Sequence, residues 1–292
     1  MSDSGKTRGP VDVSLLLKAG QDLVEVMREM LAQLPPPTIE QAVKGNRSPL
    51  YQACLVRQIE GYHAITTLVA SNLGHMAPAF LRPACEEFFW IKYLNKVPAE
   101  AFKDLFIAIT AAENLRGLIA QQMYIGKRGM KSLGFSTQFI NKAISDYSAI
   151  NEKIRGIGER LGWPTTAQTG GQSVVPTTHW VANQVGEGKL YDYLYSATSR
   201  HVHFSMGELL RRPETMDGGT LDFTAEKKRD FRSYFAIHWA STFLLRTAAE
   251  CLEGSGDELT LPEGAKARMF DIAQRLGQYG IPAVTYPNEW RG

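Results

Sequence analysis

Residues Tyr191 to Glu208 read YDYLYSATSRHVHFSMGE and contain three tyrosines, one arginine and two histidines. The apolar pattern through this stretch has steps of three and four residues, which predicts an α-helix. One face of that helix is formed by Leu190, Leu194, Ala197, His201 and Phe204. Because each residue turns a helix by about 100°, His201 and His203 lie roughly 160° apart. One of these histidines should therefore face the interior and the other the periphery.

The composition is that of an ordinary globular protein. The 292 residues are 44% apolar and 21% charged, which predicts a packed core. The formal net charge of +2 gives no overall argument for nucleic acid, so any basic surface has to be local. Cys54, Cys85 and Cys251 are widely spaced, without a CxxC pair, and the sequence shows no signal peptide. We therefore expect small buried cysteines and a cytoplasmic protein.

One uncharged stretch raises the question of a membrane segment. Residues Gly61 to Leu81 carry no formal charge, and this length is about enough to span a bilayer. Polar residues and helix breakers interrupt the stretch, namely His63, Asn72, Gly74, His75 and Pro78. The pattern therefore predicts two buried helices that meet at a Gly-His turn, and no membrane partner.

Hydrophobic periodicity predicts an all-α protein with a single bundle-like domain. The predicted helices are Val13 to Leu34, Pro49 to Asn72, Pro78 or Arg82 to Asn95, Pro98 to Tyr124, Ser136 to Leu161, Pro176 to Val185, Thr224 to Gly254 and Glu263 to Tyr279. The segment Gly126-Lys127-Arg128-Gly129 should break one of them. The helix after Thr224 should be long and central, with an apolar face through Phe231, Phe235, His238, Thr242, Leu245, Ala249 and Leu252.

A long apolar seam follows Ser136. Its positions step by three and four residues and are Ile140, Ile144, Tyr147, Ile150, Ile154, Ile157 and Leu161. Such a seam fits either another helix or another subunit, and with the aromatic content it leads us to expect a homodimer. The next residues, Thr165 to Val175, show no periodicity, so they should form a lid, a binding loop or a disordered segment.

Arg82 and Glu86 stand four residues apart in the otherwise apolar segment FLRPACEEFFW. An unpaired charge in such surroundings is costly, so the two should pair and should meet the Tyr191–Glu208 helix. One hypothesis is that the pair orients or polarises His203 in a site between helices. The alternative is a structural ion pair without chemistry, because such pairs also perturb pKa values.

His203 is a candidate general base, phosphate ligand or metal ligand, and a hydrogen-bonded core histidine is the alternative. The His201-x-His203 spacing on a helix is poor metal geometry, and no HExxH motif or cysteine-rich partner accompanies it. The motifs GxxxxGK[ST], GxGxxG and GxSxG are absent as well. We therefore expect no metal, no cofactor and no α/β-hydrolase chemistry. His238 lies on an apolar face and should be a core histidine.

Three short basic clusters lie at predicted helix ends. They are Lys127-Arg128-Lys131, Arg211-Arg212 and Lys227-Lys228-Arg229. The helix dipole alone favours cations near C-termini. The clusters argue for nucleic acid only if they converge in space.

The chain resembles an uncharacterised bacterial family of all-helical proteins in three motifs. They are Arg82-x3-Glu86, the segment Pro176 to Ala182, and Tyr195-x3-Ser199-x2-Val202-His203. That family in turn resembles the HEPN superfamily of helical bundles, which includes metal-independent ribonucleases of toxin and phage-defence systems. The resemblance implies that His203 matches the helix histidine, that Arg82 and Glu86 match the paired charges, and that RNA is a partner.

One departure from the HEPN pattern concerns the arginine. HEPN nucleases carry an Arg-x4–6-His motif, whereas Ser196, Ala197 and Thr198 occupy the corresponding positions before His203. The nearest arginine, Arg200, is two residues too close. Either Arg82 supplies the cation from another helix, or the nuclease chemistry is absent.

These observations lead to one interpretation and two alternatives. The chain divides into an N-terminal helix with a Pro-rich connector (1–46), a HEPN-like bundle (47–253), and a C-terminal helix and tail (254–292). We expect a metal-independent RNA-cleaving effector in stress or phage defence, in which neutral His203 takes a ribose 2′-OH proton and arginine steadies the phosphate. The candidate site residues are His203, Arg82, Glu86, Tyr195 and Arg200. The alternatives are a non-catalytic scaffold and a small-ligand sensor with the Thr165–Val175 loop as lid.

Overall fold

The described part of the chain is all-α, as predicted. The computed structural model describes residues 12–164, 174–202, 214–215, 219–222, 226–255, 263–278 and 280–282. Its helices are α1 (Val13–Ala32), α2 (Ile39–Val43), α3 (Ser48–Ala70), α4 (Leu81–Leu94), α5 (Ala99–Ser132), α6 (Thr137–Arg160), α7 (Thr178–Gln184), α8 (Gly188–Val202), α9 (Glu226–Ser255) and α10 (Ala265–Gly277). A 3-10 helix spans Gly74–Phe80, and β1 (Glu214–Thr215) pairs antiparallel with β2 (Leu221–Asp222).

Local chemistry explains several helix boundaries. The Oγ of Ser136 accepts a hydrogen bond from the N–H of Phe139 at 3.1 Å, which caps the start of α6 as expected. Pro83 lies in the first turn of α4, where its missing N–H breaks no helical hydrogen bond. Gly126 has a φ of 70° and interrupts α5 at the predicted break, in a conformation that glycine adopts without strain.

Helix α9 lies at the centre of one hydrophobic core. It packs against α1, α3, α4 and the 3-10 helix, and the rings of Phe243 on α9 and Phe88 on α4 have their centroids 5.8 Å apart. Buried side chains of α1 and α10 belong to the same core, and these two helices also pack against each other. The N- and C-terminal helices therefore share the interior of the bundle.

The predicted apolar face of α9 is only partly right. Ala249 is exposed, and His238 and Thr242 are half-buried. The neighbouring face is buried instead. It contains the large side chains of Ile237, Phe243 and Leu244 together with small ones, namely Ala236, Ala240, Ser241, Thr247 and Ala248. Small side chains let neighbouring helices approach closely, and a pattern based on large apolar residues does not detect them.

Helices α5 and α6 form an antiparallel hairpin, and the predicted seam of α6 packs along α5. Ile140, Ile154 and Ile157 are buried, whereas the side chain of Ile144 is 45% exposed. The partner of the seam is thus another helix of the same chain. At the base of the hairpin, Nε1 of Trp163 donates a hydrogen bond to the hydroxyl of Tyr93 at 2.7 Å, which fixes the end of α6 to α4.

The uncharged stretch from Gly61 to Leu81 is broken, as predicted. Helix α3 ends at Ala70, Asn72 adopts a φ of 60°, and a 3-10 helix leads into α4. In the described ranges, no helix is both long and apolar enough to span a bilayer.

The first testable prediction concerns His238. Its imidazole lies edge-on to the rings of Tyr234 and Trp239, at centroid distances of 5.9 Å and 5.3 Å, and burial lowers its pKa to about 4. The unfolded chain binds this proton near pH 6.5. The contribution of neutral His238 to the free energy of unfolding should therefore be fully present above that pH. It should decrease as the pH drops toward 4, by at most about 1.4 kcal/mol per pH unit.

Urea unfolding of the wild type and of His238→Gln between about pH 7 and about pH 4.5 checks this prediction. The wild type should lose more stability across this range than the variant does. Parallel losses would contradict it.

Candidate functional site

Arg82 and Glu86 form the predicted ion pair on α4. Nε of Arg82 donates to Oε1 of Glu86 at 2.9 Å, one helical turn away. The two side chains are 28% and 35% exposed, so solvent reaches both. The pair is therefore anchored in an apolar helix and still open to a ligand.

The expected contact between this pair and α8 is present. Cζ of Arg82 lies 5.0 Å from the ring centroid of Tyr195, which is the geometry of a cation–π interaction. Tyr191 stacks on Tyr195 with centroids 5.3 Å apart and planes inclined by 21°. The ring of His179 follows, 5.4 Å from Tyr191. We call these four residues and Glu86 the Arg82 strip.

The Arg82 strip offers flat π faces, a cation and the imidazole of His179. Burial, followed by the neighbouring Tyr195 hydroxyl, raises the pKa of Tyr191, so its hydroxyl is protonated at neutral pH and can donate a hydrogen bond. Nε2 of His179 lies 3.5 Å from Oδ1 of Asp192 at the exposed end of the strip. Planar groups can stack on such a surface, and an anion can approach Arg82 from the solvent side.

A cleft of about 1190 Å³ opens beside the strip, between α4 and the α5–α6 hairpin. Its charged lining comprises Arg57, Arg82, Arg116 and Arg155 together with Glu86, Glu87, Glu113 and Glu152. Its aromatic lining comprises Trp90, Phe102, Phe106 and Tyr147. Val174, Val175, Pro176 and Val202 complete the wall, so the C-terminal end of α8 reaches the cleft. This volume exceeds the usual range for small-molecule sites, about 300–1,000 Å³.

Glu87 is a cleft residue that the sequence reasoning missed. Its Oε1 lies 2.7 Å from Nε of Arg57, and burial raises its pKa although Arg57 acts in the opposite direction. A half-buried carboxyl with a raised pKa in a cleft is a candidate proton-transfer group. In the sequence, Glu87 could have been recognised as a candidate because it follows Glu86 directly in an otherwise apolar helix.

A second group of charges lies on the other side of α4. Oε1 of Glu187 accepts hydrogen bonds from Nζ of Lys92 at 2.7 Å and from Nη2 of Arg246 at 2.5 Å. Glu250 lies 4.0 Å from Lys92, and both cations pack over the ring of Phe88. We call this the Glu187 cluster. It joins α4, the start of α8, and α9.

The electrostatics of the Glu187 cluster favour its charged form. Burial alone would raise the pKa of Glu187, but the hydrogen bonds from Lys92 and Arg246 outweigh burial and hold this pKa below its usual range. The cluster therefore stabilises the fold above the pKa of an unfolded glutamate, and this contribution is lost as the pH falls through the folded-state pKa.

Part of the predicted site lies outside the described residues. Arg82, Glu86 and Tyr195 come together, whereas His203 and the side chain of Arg200 are not described. Val202, the last residue of α8, lines the cleft directly before His203. Of the basic clusters, Arg211-Arg212 and the side chains of Lys227-Lys228-Arg229 are also outside the described part, as are residues 165–173 of the predicted loop.

The three cysteines are buried, free thiols. Cys54, Cys85 and Cys251 are buried and free of disulfides, as predicted, and burial raises the pKa of each thiol. These thiols are therefore poor nucleophiles at neutral pH. Within the described ranges, no group of three or more His, Cys, Asp or Glu side chains could hold a metal ion.

The family match covers the polypeptide that builds the strip and most of the cleft. A family of unknown function, DUF5677, matches residues 51–220, from within α3 through β1. The chain belongs to this family. No curated protein and no solved structure matches the chain. The family region includes Arg82, Glu86 and Tyr195, and it leaves out all of α1, α2, α9 and α10.

The second prediction tests the Glu187 cluster. Glu187→Gln should lower the free energy of unfolding by roughly 2–3 kcal/mol at neutral pH, because two half-buried cations lose the anion between them. The matched control is Glu40→Gln, which removes the anion of a pair whose Lys44 and Glu40 side chains are 72% and 75% exposed. The control should change stability by no more than about 0.5 kcal/mol. Urea unfolding followed by circular dichroism measures both, and equal effects would show that Glu187 behaves as a surface charge.

Proposed function

We propose that this protein is a HEPN-like, metal-independent ribonuclease that acts as an effector in stress or phage defence in the cytoplasm. One observation supports the proposal above the others. Arg82 and Glu86 line an open cleft that is also lined by Val202, the residue before His203, and Tyr195 contacts Arg82 at the edge of this cleft. A buried cluster without solvent access would have favoured a scaffold instead.

The proposed reaction is cleavage of RNA by its own 2′-hydroxyl. Neutral His203 takes the 2′-OH proton, and the 2′ oxygen attacks the adjacent phosphorus. The bond from phosphorus to the 5′ oxygen breaks, and that oxygen takes a proton from water. The products are a 2′,3′-cyclic phosphate and a 5′-hydroxyl. A guanidinium near the phosphate stabilises the negative charge that develops in the transition state.

Arg82 is the proposed cation. Its hydrogen bond to Glu86 and its position over Tyr195 hold the guanidinium in one orientation, which lowers the cost of organising the site. Glu86 uses one edge of the guanidinium, and the planar group has further N–H donors for a phosphate. Arg200 is the second candidate, because it precedes His203 on the same stretch of chain.

A non-catalytic scaffold is the second candidate function, and the charge pairing in the cleft favours it. Arg57 pairs with Glu87, Arg82 with Glu86, and Arg155 with Glu152. Arginines already neutralised in this way attract phosphate less strongly than free ones do. On this hypothesis the cleft binds a partner protein, and His203 has a structural role.

The third prediction separates these two functions. His203→Ala should lower the rate of RNA cleavage by about 10²–10⁴-fold, because a general base contributes that much through one proton transfer. The matched control is His63→Ala on the exposed side of α3, which should retain full activity. Cleavage is measured on single-stranded RNA with EDTA present, and thermal melts are recorded for all three proteins.

The scaffold hypothesis gives the opposite result. The wild type is then inert toward RNA. The variant His203→Ala unfolds at a lower temperature, because a buried group left without its hydrogen bond lowers the free energy of unfolding by about 1–3 kcal/mol. An inert wild type together with a destabilised variant would end the nuclease proposal.

The proposal also includes a homodimer, which we test separately. Light scattering at micromolar concentration should give twice the chain mass of 32.5 kDa. A monomer mass would contradict this fourth prediction and leave the nuclease proposal unaffected.

A further inference from the structure

The outer half of the α5–α6 hairpin has an unusual charge distribution. The chain as a whole is nearly balanced, with 32 basic and 30 acidic residues. From Asn114 to Ser145, however, there is no Asp or Glu, and the basic residues in this range are Arg116, Lys127, Arg128, Lys131 and Lys142. We call residues 114–145 the basic hairpin.

The basic side chains of this region are available to a partner. Arg116, Lys127, Arg128 and Lys131 are exposed, and no carboxylate within the described ranges forms an ion pair with any of them. Lys142 differs, because its Nζ pairs with Asp146 at 2.6 Å. A concentration of free cations without neighbouring acids creates a local positive potential that an anionic partner can neutralise.

An exposed aromatic side chain accompanies these cations. Tyr124 is 92% exposed and lies two residues before the break at Gly126, with Lys127 and Arg128 directly after it. Phe139 is also exposed, and its ring contacts that of Phe135 at 5.7 Å. Cations interleaved with exposed aromatic rings are the recurring composition of surfaces that bind single-stranded nucleic acid, where phosphates pair with the cations and bases stack on the rings.

The basic hairpin continues from the cleft. Arg116 belongs to both, since it lines the cleft and begins the acid-free range. The distance along α5 from Arg116 to Ile125 is about 14 Å at 1.5 Å per residue. A strand whose phosphate lies in the cleft can therefore extend along the hairpin. A second copy of the chain fits this surface poorly, because two acid-free surfaces would repel each other.

We propose that the basic hairpin binds the phosphates of single-stranded RNA and holds the strand that leaves the cleft. The identification of the nucleic acid as RNA rests on the proposed function. The expected consequence is that affinity depends on RNA length, because only a strand longer than the cleft reaches Lys127, Arg128 and Lys131.

The test compares two triple variants of the full chain. The first is Lys127→Gln with Arg128→Gln and Lys131→Gln. The matched control is Lys18→Gln with Arg28→Gln and Lys266→Gln, which removes the same charge from exposed positions on α1 and α10. Binding is measured with 2′-O-methyl RNA of about 6 and about 24 nucleotides, which brackets common single-strand site sizes. This RNA lacks the attacking hydroxyl, so cleavage does not interfere.

The hairpin variant should bind the long RNA at least about tenfold more weakly than the wild type, and its salt dependence should be shallower by about 2 in the slope of log K against log salt. The short RNA and the control variant should show wild-type binding. If the hairpin variant is less helical by circular dichroism, Lys127→Arg with Lys131→Arg keeps the charge and should bind as the wild type does.

Three outcomes would overturn the inference. The hairpin variant could bind long RNA as tightly as the wild type, the control could lose as much affinity, or the wild type could bind phosphatidylglycerol vesicles through these residues and ignore RNA. Two further results distinguish the failure of the proposed function from the failure of this inference. A wild type that binds long RNA through the hairpin without cleaving RNA removes the nuclease proposal alone, and cleavage that survives with unchanged binding in the hairpin variant removes the hairpin inference alone.

Discussion

The fold depends on how the charges of α4 are paired. This helix buries Leu81, Phe88 and Phe89, yet it also carries Arg82, Glu86, Glu87 and Lys92 within three turns. Charges held so close to a core are tolerated only with partners. Neighbouring helices supply such partners: α3 brings Arg57 to Glu87, the start of α8 brings Glu187 to Lys92, and Tyr195 of α8 lies beside Arg82. Pairing therefore sets the positions of the helices around α4.

The charge pairs on the two sides of α4 differ in their access to solvent. On the side of Phe88, the Glu187 cluster is sheltered, and its anion is shared by two cations, which is what helix packing requires. On the opposite side, the pair of Arg82 and Glu86 opens onto the cleft and keeps solvent access. One helix thus carries a structural cluster and an accessible one. The exposure of the second is the observation on which its proposed catalytic role rests.

Local features were predictable from the sequence, and long-range ones were not. The cap at Ser136, the break at Gly126 and the pair of Arg82 with Glu86 depend on residues within one turn, so spacing reveals them. Lys92 and Glu187 are 95 residues apart and each looks like an ordinary surface charge in the sequence. The buried face of α9 was misjudged for a related reason, because burial of Ala240 and Thr247 depends on the shape of neighbouring helices.

Acidic and basic residues are distributed unevenly along the α5–α6 hairpin. Near its base, carboxylates and cations alternate and pair, as in Asp104 with Lys153 and Glu152 with Arg155, and Trp163 ties the hairpin to α4. Beyond Glu113 the acids stop until Asp146, while cations continue. A polyanion near this surface meets repulsion from glutamates in the inner part and attraction in the outer part. The favourable orientation is therefore one in which most of its charge lies along the outer hairpin and only a short length enters the cleft.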